Sequence, residues 1–289
     1  MPPLSGRTDG ASDAILVLRQ LTHKDRAAVS PLRPARNGHP WRVTAASPET
    51  LARCRSAADA LPGWFNPEDL ELFVRILDGQ RHTGVTGDLF EIGVFQGKSA
   101  VVLGFFADGT DRVHVCDTFG ADAELSAQNL AENDRWYGGL SEQSFLDGYT
   151  RVHATPPTVH AVRSTMLDGR LAPRSVRFAH IDGSHTYDVV ARDIALVATL
   201  MTDDGVVVID DYRSAHTPGV AAAAWGAVVG GSLVPVALTE QKMYAAYTAA
   251  AADRAAQLIG DGPPEHKVAV NETIAGRDVV TFIPRTWEA

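Results

Sequence analysis

The sequence predicts an α/β protein in which helices cover both faces of a mostly parallel sheet. Residues 176–182 form a short apolar segment of strand type that ends in Asp182, and residues 206–209 form a second apolar segment. Between them, apolar residues recur at i, i+4, i+7 and i+11, the spacing of one buried helix face. These residues are Val190, Ile194, Val197 and Met201. A strand–helix–strand unit of this kind places its strands in parallel, and wholly apolar strands are typical of sheets covered on both faces.

An earlier strand, residues 89–93, runs into a turn with two glycines and then into a predicted helix at 98–106. Gly93 and Gly97 allow a sharp turn close to a ligand, and Ser99 can cap the helix or donate to an anionic group. The phosphate-binding loop is excluded because only three residues separate the glycines, and Phe95 excludes the dinucleotide fingerprint. Glu91 would repel a phosphate at this position and suits a ligand that carries an amino group.

The next predicted strand, residues 112–117, ends in Asp117, which is positioned to accept hydrogen bonds from ribose hydroxyls. Asp182 and the pair Asp210 and Asp211 follow two parallel strands, so all three carboxylates are expected at one edge of the sheet, where such proteins bind ligands. Oxygen ligands suit Mg²⁺, Mn²⁺ or Ca²⁺. The alternative is that each aspartate only ends a strand or caps a helix.

Histidine residues near these carboxylates are candidates for proton transfer. His185 follows Asp182 by three residues, so we expect it to be the base of the site. His216 follows the acidic pair by five residues and is within reach of the same site, whereas His180 lies inside a strand and is expected to be a core residue.

Composition indicates a cytoplasmic enzyme. The net charge of −9 argues against a nucleic-acid partner. The two cysteines, Cys54 and Cys116, have no metal or disulfide spacing, which is typical of a reducing compartment. The N-terminus lacks the order of a signal peptide. Residues 220–238 are uncharged, but glycines and a proline interrupt them, so they predict a helix and a strand and no membrane contact.

The chain is predicted to contain a basic N-terminal arm, residues 1–46, and a single domain, residues 47–289. The arm has seven Lys and Arg against three Asp, and we expect it to be mobile or to dock on another subunit. Ser47 and Asn66, each followed by Pro and Glu, predict helix starts. Residues 120–149 are interpreted as either a lid or a plain surface connection, and a helix and a hairpin are expected to finish the chain.

Three strings, EIGVFQGKS at 91–99, DGSHTY at 182–187 and IDDY at 209–212, resemble the class I S-adenosylmethionine-dependent methyltransferases. The nearest resemblance is to the metal-dependent O-methyltransferases of natural-product sugars, related to the macrocin and mycinamicin enzymes, and the metal layout is similar to that of catechol O-methyltransferase. The resemblance covers roughly residues 64–247. This sequence departs from the wider class at Phe95, where a second close glycine is common.

The resemblance implies a Rossmann-like fold with a mostly parallel, seven-stranded sheet. It implies Glu91 on the methionine amino group, Gly93, Gly97 and Ser99 around the methionine moiety, Asp117 on the ribose and Ser164 near the adenine. It implies Asp182, Asp210 and Asp211 as ligands of Mg²⁺ or Mn²⁺, with Asp182 also close to the cofactor, and His185 as the base.

The expected reaction is methyl transfer to a hydroxyl of a sugar or another diol in natural-product biosynthesis, with a small glycosylated acceptor and a homo-oligomeric enzyme. The alternatives are a catechol-like acceptor, a metal enzyme of the same fold associated with hydroxylation, and a regulatory nucleotide-binding domain.

Overall fold

The computed structural model describes residues 47–120, 139–260 and 262–288. The predicted basic arm and most of the predicted lid, residues 121–138, lie outside this part of the chain. Its strands are β1 Asp88–Ile92, β2 Val113–Cys116, β3 Thr158–His160, β4 Val176–Ile181, β5 Met201–Ile209, β6 Val234–Leu238, β7 Met243–Ala246, β8 Lys267–Ile274 and β9 Arg277–Pro284. Its α-helices are α1 Pro48–Asp59, α2 Pro67–His82, α3 Ala100–Gly104, α4 Glu142–Thr150, α5 Tyr187–Leu200, α6 Pro218–Val229 and α7 Ala249–Ile259.

The strands form one sheet in the order β3-β2-β1-β4-β5-β7-β6-β9-β8. Strands β1 to β5 pair in parallel, and β7 enters antiparallel between β5 and β6. The predicted Rossmann-like α/β fold is therefore confirmed. The predicted number of seven strands is wrong, because the C-terminal hairpin β8–β9 joins the sheet through β9 and covers the backbone groups that β6 would otherwise expose.

Helices cover both faces of the sheet, as predicted. On one face α1, α2, α3 and α7 enclose a core that includes Phe73, Leu89 and Phe178; on the other, α5 and α6 enclose a core that includes Phe90 and Ile181. Adjacent strand residues belong to opposite cores because side chains alternate across a strand. Side chains of β1 and β4 that point towards α2 are therefore buried beneath that helix, and this holds for polar side chains as well.

The predicted β4–α5–β5 unit is present, with one difference at the end of its helix. Asp203 and Asp204, which the sequence pattern predicts to end the helix before the apolar segment 206–209, lie within β5, because α5 ends at Leu200 and β5 begins directly at Met201. Pairing with β4 shifts between Met201 and Val206, so the intervening residues bulge out of the ladder. The apolar residues that follow remain in parallel register with β4 as far as Ile209.

The helix starts and the uncharged segment also agree with the sequence. Ser47 accepts a hydrogen bond from the backbone N–H of Thr50, whereas Asn66 starts α2 without a side-chain cap. Residues 220–238 divide between α6 and β6. In the described part of the chain, none of the helices combines the length and the apolar character that crossing a membrane requires.

Candidate active site

A cavity of about 740 Å³ opens at the carboxyl ends of β1, β2, β4 and β5. This volume lies in the range of small-molecule sites, and the position is the one at which open α/β sheets bind ligands. Most of the residues predicted for the site line it: Gly93, Ser99, Asp117, Ser164, Asp182, His185, Asp210 and Asp211. The sequence therefore predicted the site's position on the sheet.

The glycine turn after β1 forms one wall of the cavity. Gly93 has φ 80°, and a Cβ atom there would overlap the backbone of Asp182 and Gly183, so the turn passes β4 at a distance only glycine permits. Gly97 has φ 87°, and a Cβ atom there would lie 2.8 Å from the ring of Phe145. Both glycines thus bring backbone close to neighbouring elements, and the turn between them is fixed.

Asp117 holds this turn in place. Its Oδ2 accepts hydrogen bonds from the backbone N–H groups of Val94 (2.8 Å) and Phe95 (3.2 Å), and its Oδ1 accepts one from Phe119 (2.8 Å). Burial raises the pKa of Asp117, and these three amides oppose that rise. Because a carboxylate has about four acceptor positions, one remains for a ligand hydroxyl. The predicted ribose contact stays a prediction, and the carboxylate has a second role that the sequence did not indicate.

Glu91 lies behind the cavity wall and does not line the cavity. Its Oε1 accepts a hydrogen bond from the Ser99 hydroxyl and lies 2.8 Å from Nδ1 of His180, so Ser99 donates to an anion and makes no helix cap. Its Oε2 is buried without a hydrogen-bond partner. An unpaired buried carboxylate oxygen is costly unless a donor reaches it. The predicted contact with a ligand amino group stays a prediction.

Asp182 and Asp210 belong to the first of two groups of side chains in the cavity wall that could hold a metal ion. Together with His180, they present atoms that all lie within 4.8 Å of one another. Burial raises the pKa of Asp182 well above its usual range, and the charge of Asp210 raises it further. Despite its own burial, Asp210 has a lowered pKa because the Lys242 ammonium lies against its carboxylate.

Asp211 belongs to the second group, with His185 and His216. Its Oδ2 lies 3.2 Å from Nε2 of His185, and its Oδ1 accepts a hydrogen bond of 2.5 Å from the Ser214 hydroxyl. Although burial opposes the shift, the hydrogen bond with His185 lowers the pKa of Asp211. Asp211 has φ 56°, an uncommon conformation for a residue other than glycine that is concentrated at functional sites.

All three predicted metal ligands therefore line the cavity, but in the described residues they belong to two groups. His216 also lines the cavity, as predicted. His180 is buried, as predicted for a core residue, yet it is also part of the polar network. Its Nε2 lies 3.0 Å from Nζ of Lys242, so a row of contacts connects Ser99 and Glu91 to Asp210 through the core.

Lys242 is the most important residue that the sequence analysis missed. It is 2% exposed, it contacts Asp210 and His180, and its Nζ lies 5.5 Å from the centre of the Phe65 ring. The signal was a lysine directly before the apolar strand β7. Its partner follows from register, because Ile209 pairs with Met243 in the antiparallel β5–β7 ladder, and the next residues outward are Asp210 and Lys242.

Ser164 lies in a short 3₁₀ turn after β3 and lines the cavity. Its side chain is hydrogen-bonded to Asp193, whose pKa is raised by burial to about 7 although this hydrogen bond opposes the rise. Two more residues missed from the sequence are Trp64 and Asp69. Trp64 is 67% exposed and stacks on Phe95 with ring centres 5.7 Å apart, and Asp69 enters the cavity wall from α2.

Comparison with known proteins identifies the central part of the chain. The model of the family described as a methyltransferase domain matches residues 90–212, from β1 through the acidic pair. No curated protein sequence matches the chain significantly.

Solved structures of low sequence identity are also similar to this chain. The O-methyltransferase NovP has 17% identity over 60% of this chain and 77% of its own, with a TM-score of 0.48. An O-methyltransferase from Bacillus cereus in complex with SAH has 14% identity over 70% and 92%, with a TM-score of 0.43. TomG from Streptomyces achromogenes, an O-methyltransferase of tomaymycin synthesis in complex with SAM, has 17% identity over 70% and 91%, with a TM-score of 0.41.

The segment that matches the methyltransferase-domain model, residues 90–212, contains the glycine turn, Asp117 and all three predicted metal ligands. This match supports the predicted S-adenosylmethionine-dependent methyltransferase. His216 and Lys242 lie outside the matched segment.

Proposed function

We propose that this enzyme transfers the methyl group of S-adenosylmethionine to a hydroxyl oxygen of a sugar or another diol, with the help of Mg²⁺ or Mn²⁺. The observation that carries the proposal is which residues line the cavity: the glycine turn and Asp117 follow β1 and β2, and three carboxylates with His185 follow the neighbouring strands β4 and β5. The names of NovP and TomG as O-methyltransferases agree with an oxygen acceptor.

The residues that follow β1 and β2 fit the cofactor. The turn that Gly93 and Gly97 hold close to Asp182 and Phe145 is assigned to the methionine moiety, and Asp117 retains an acceptor position for a ribose hydroxyl. Ser164, on the wall formed after β3, is assigned to the adenine. Glu91, whose buried Oε2 lacks a donor behind the cavity wall, is assigned to the amino group.

The carboxylates that follow β4 and β5 fit a hard divalent cation. Asp182, Asp210 and Asp211 supply only oxygen donors, the set that Mg²⁺ and Mn²⁺ prefer. Burial raises the pKa of Asp182 and the charge of Asp210 raises it further, and a nearby cation opposes both effects. When bound there, a divalent cation lowers the pKa of a hydroxyl group, and a vicinal diol offers two oxygens to the same ion.

His185 is assigned as the base that accepts the proton of the acceptor hydroxyl. Asp211 holds its Nε2 at 3.2 Å, so the ring has a fixed orientation at the cavity wall. The walls formed by the glycine turn and by the carboxylates would hold methyl carbon and acceptor oxygen in line, and such positioning supplies several kcal/mol of the rate enhancement.

Conversion of S-adenosylmethionine to S-adenosylhomocysteine in the presence of a panel of acceptors tests the function. We expect turnover with glycosides that carry a vicinal diol, and weaker turnover with the matched monodeoxy glycosides. Preference for simple catechols over every glycoside would contradict the sugar assignment, and a lack of turnover with all diols would contradict the function.

Charge removal at the residues assigned to the cofactor is expected to weaken S-adenosylmethionine binding. Glu91→Gln or Asp117→Ala should each reduce affinity by about ten- to a hundredfold, because a charge-assisted hydrogen bond contributes roughly 1.5–3 kcal/mol. Calorimetry measures this, with Glu142→Gln on the exposed start of α4 as the control. Unchanged affinity in both variants would count against these assignments.

Replacing the base is expected to slow the chemical step. His185→Ala should lower kcat by roughly a hundredfold, the usual scale for a lost general base, with little change in cofactor affinity. The defect should shrink as pH rises, because the acceptor hydroxyl then ionises to solvent. His266→Ala, on the exposed surface, is the control. Wild-type kcat for His185→Ala across pH 6–9 would refute the assignment.

A further inference from the structure

We propose that His185, Asp211 and His216 form a binding site for a transition-metal ion such as Zn²⁺ or Co²⁺, and that occupation of this site inhibits the enzyme. The inhibition rests on the proposed function, whereas the binding does not.

The three side chains have the geometry of a ligand set. Each offers one ligand atom, and these atoms all lie within 4.8 Å of one another. Nε2 of His185 lies 3.2 Å from Oδ2 of Asp211, and the two imidazole rings are nearly perpendicular, at 85°, with centres 6.0 Å apart. All three residues line the cavity, so a metal ion and its remaining water ligands have access.

The donor atoms select a different class of metal from the one proposed for the carboxylates. Two imidazole nitrogens and one carboxylate oxygen suit zinc, cobalt, nickel, iron or copper, whereas Mg²⁺ prefers oxygen donors. Three protein ligands with an open fourth position are also the arrangement of accessible zinc sites.

The position is electrostatically distinct from that of Asp182 and Asp210. Asp210 already has the Lys242 ammonium against its carboxylate. Asp211, which has a positive φ, instead contacts His185 and accepts a hydrogen bond from Ser214. Among the described residues, a cation that enters beside Asp211 therefore meets a carboxylate next to the His185 imidazole and the Ser214 hydroxyl.

Occupation of this site would remove two parts of the proposed machinery. A metal ion on His185 takes the nitrogen lone pair that would accept the acceptor's proton, and a metal ion on Asp211 competes with Mg²⁺ for that ligand. Transition metals should therefore inhibit at saturating Mg²⁺, and a chelator should reverse the inhibition.

Titration of the metal-free enzyme with Co²⁺, followed by visible absorption, and with Zn²⁺, followed by competition with a chromophoric chelator, tests the binding. We expect one tight ion in the wild type and an affinity at least tenfold lower in His216→Asn, since loss of even a supporting group around a metal commonly reduces affinity by about 10–100-fold. Asp182→Asn, which removes a carboxylate of the other group, should bind Co²⁺ as the wild type does.

Absence of tight binding in the wild type, or equal binding in His216→Asn, would overturn the site. The inhibitory role would be overturned if Zn²⁺ binds to the enzyme without lowering its rate. For this comparison, the rate of each variant in Zn²⁺ is divided by the rate of the same variant in chelator. Failure of the proposed function would instead appear as no turnover in chelator-treated, Mg²⁺-supplemented enzyme, and it would leave the Co²⁺ titration unaffected.

Discussion

Removal of divalent cations is expected to abolish methyl transfer, and Mg²⁺ or Mn²⁺ should restore it. Asp182, Asp210 and Asp211 all line the cavity, and the oxygen donors that they supply suit hard cations. EDTA treatment followed by repletion, with S-adenosylhomocysteine production as the readout, measures the effect. Full activity of a metal-free preparation in EDTA would contradict the metal assignment.

Substitution of a ligand should have the same consequence. Asp210→Asn is expected to remove most activity, but it also removes the partner of Lys242, so its folding must be followed by circular dichroism. Asp211→Asn provides an independent variant, because Asp211 is held by His185 and Ser214. Asp147→Asn, an exposed residue of α4, is the control. Wild-type activity in both ligand variants would exclude these residues as essential ligands.

The sequence predicted the position of the site because that position depends on local patterns. The apolar segments before Asp182 and Asp210 identified two strands, and a helix between them made the strands parallel. Parallel strands present their carboxyl ends at one edge, so residues distant in sequence could be placed together. The same argument placed Gly93 and Asp117 at that edge, where both line the cavity.

Contacts within the site depend on features that local patterns do not contain. The pairing of Lys242 with Asp210 requires the antiparallel insertion of β7 beside β5, and nothing near either residue indicates that register. Similarly, Glu91 faces the core beneath α2, where His180 and Ser99 bind it, because its side chain points away from that of Ile92, which lines the cavity. The positive φ of Asp211 is a further such feature.

Lys242→Met is expected to destabilise the fold by about 3–5 kcal/mol, the usual cost of removing one partner of a buried ion pair. Methionine keeps the length of the side chain, but it leaves Asp210 without the ammonium and close to Asp182. Burial raises the pKa of Asp182, and the charge of Asp210 raises it further. The loss of the ammonium therefore increases the repulsion between these two buried carboxylates. Chemical denaturation of the wild type and the variant measures the difference.

The stability of Lys242→Met should also depend on Mg²⁺ more strongly than that of the wild type, since a bound cation can replace the missing positive charge. Anything that binds only the folded state stabilises it, so the ion should raise the melting temperature of the variant by the larger amount. Lys267→Met is the matched control: Lys267 is 8% exposed and pairs with Glu68 (2.8 Å) and Glu240 (2.6 Å), none of which lines the cavity. It should lose less stability and show no added dependence on Mg²⁺. Equal Mg²⁺ dependence in Lys242→Met, Lys267→Met and the wild type would mean that the ammonium of Lys242 and a divalent cation do not act on the same pair of carboxylates.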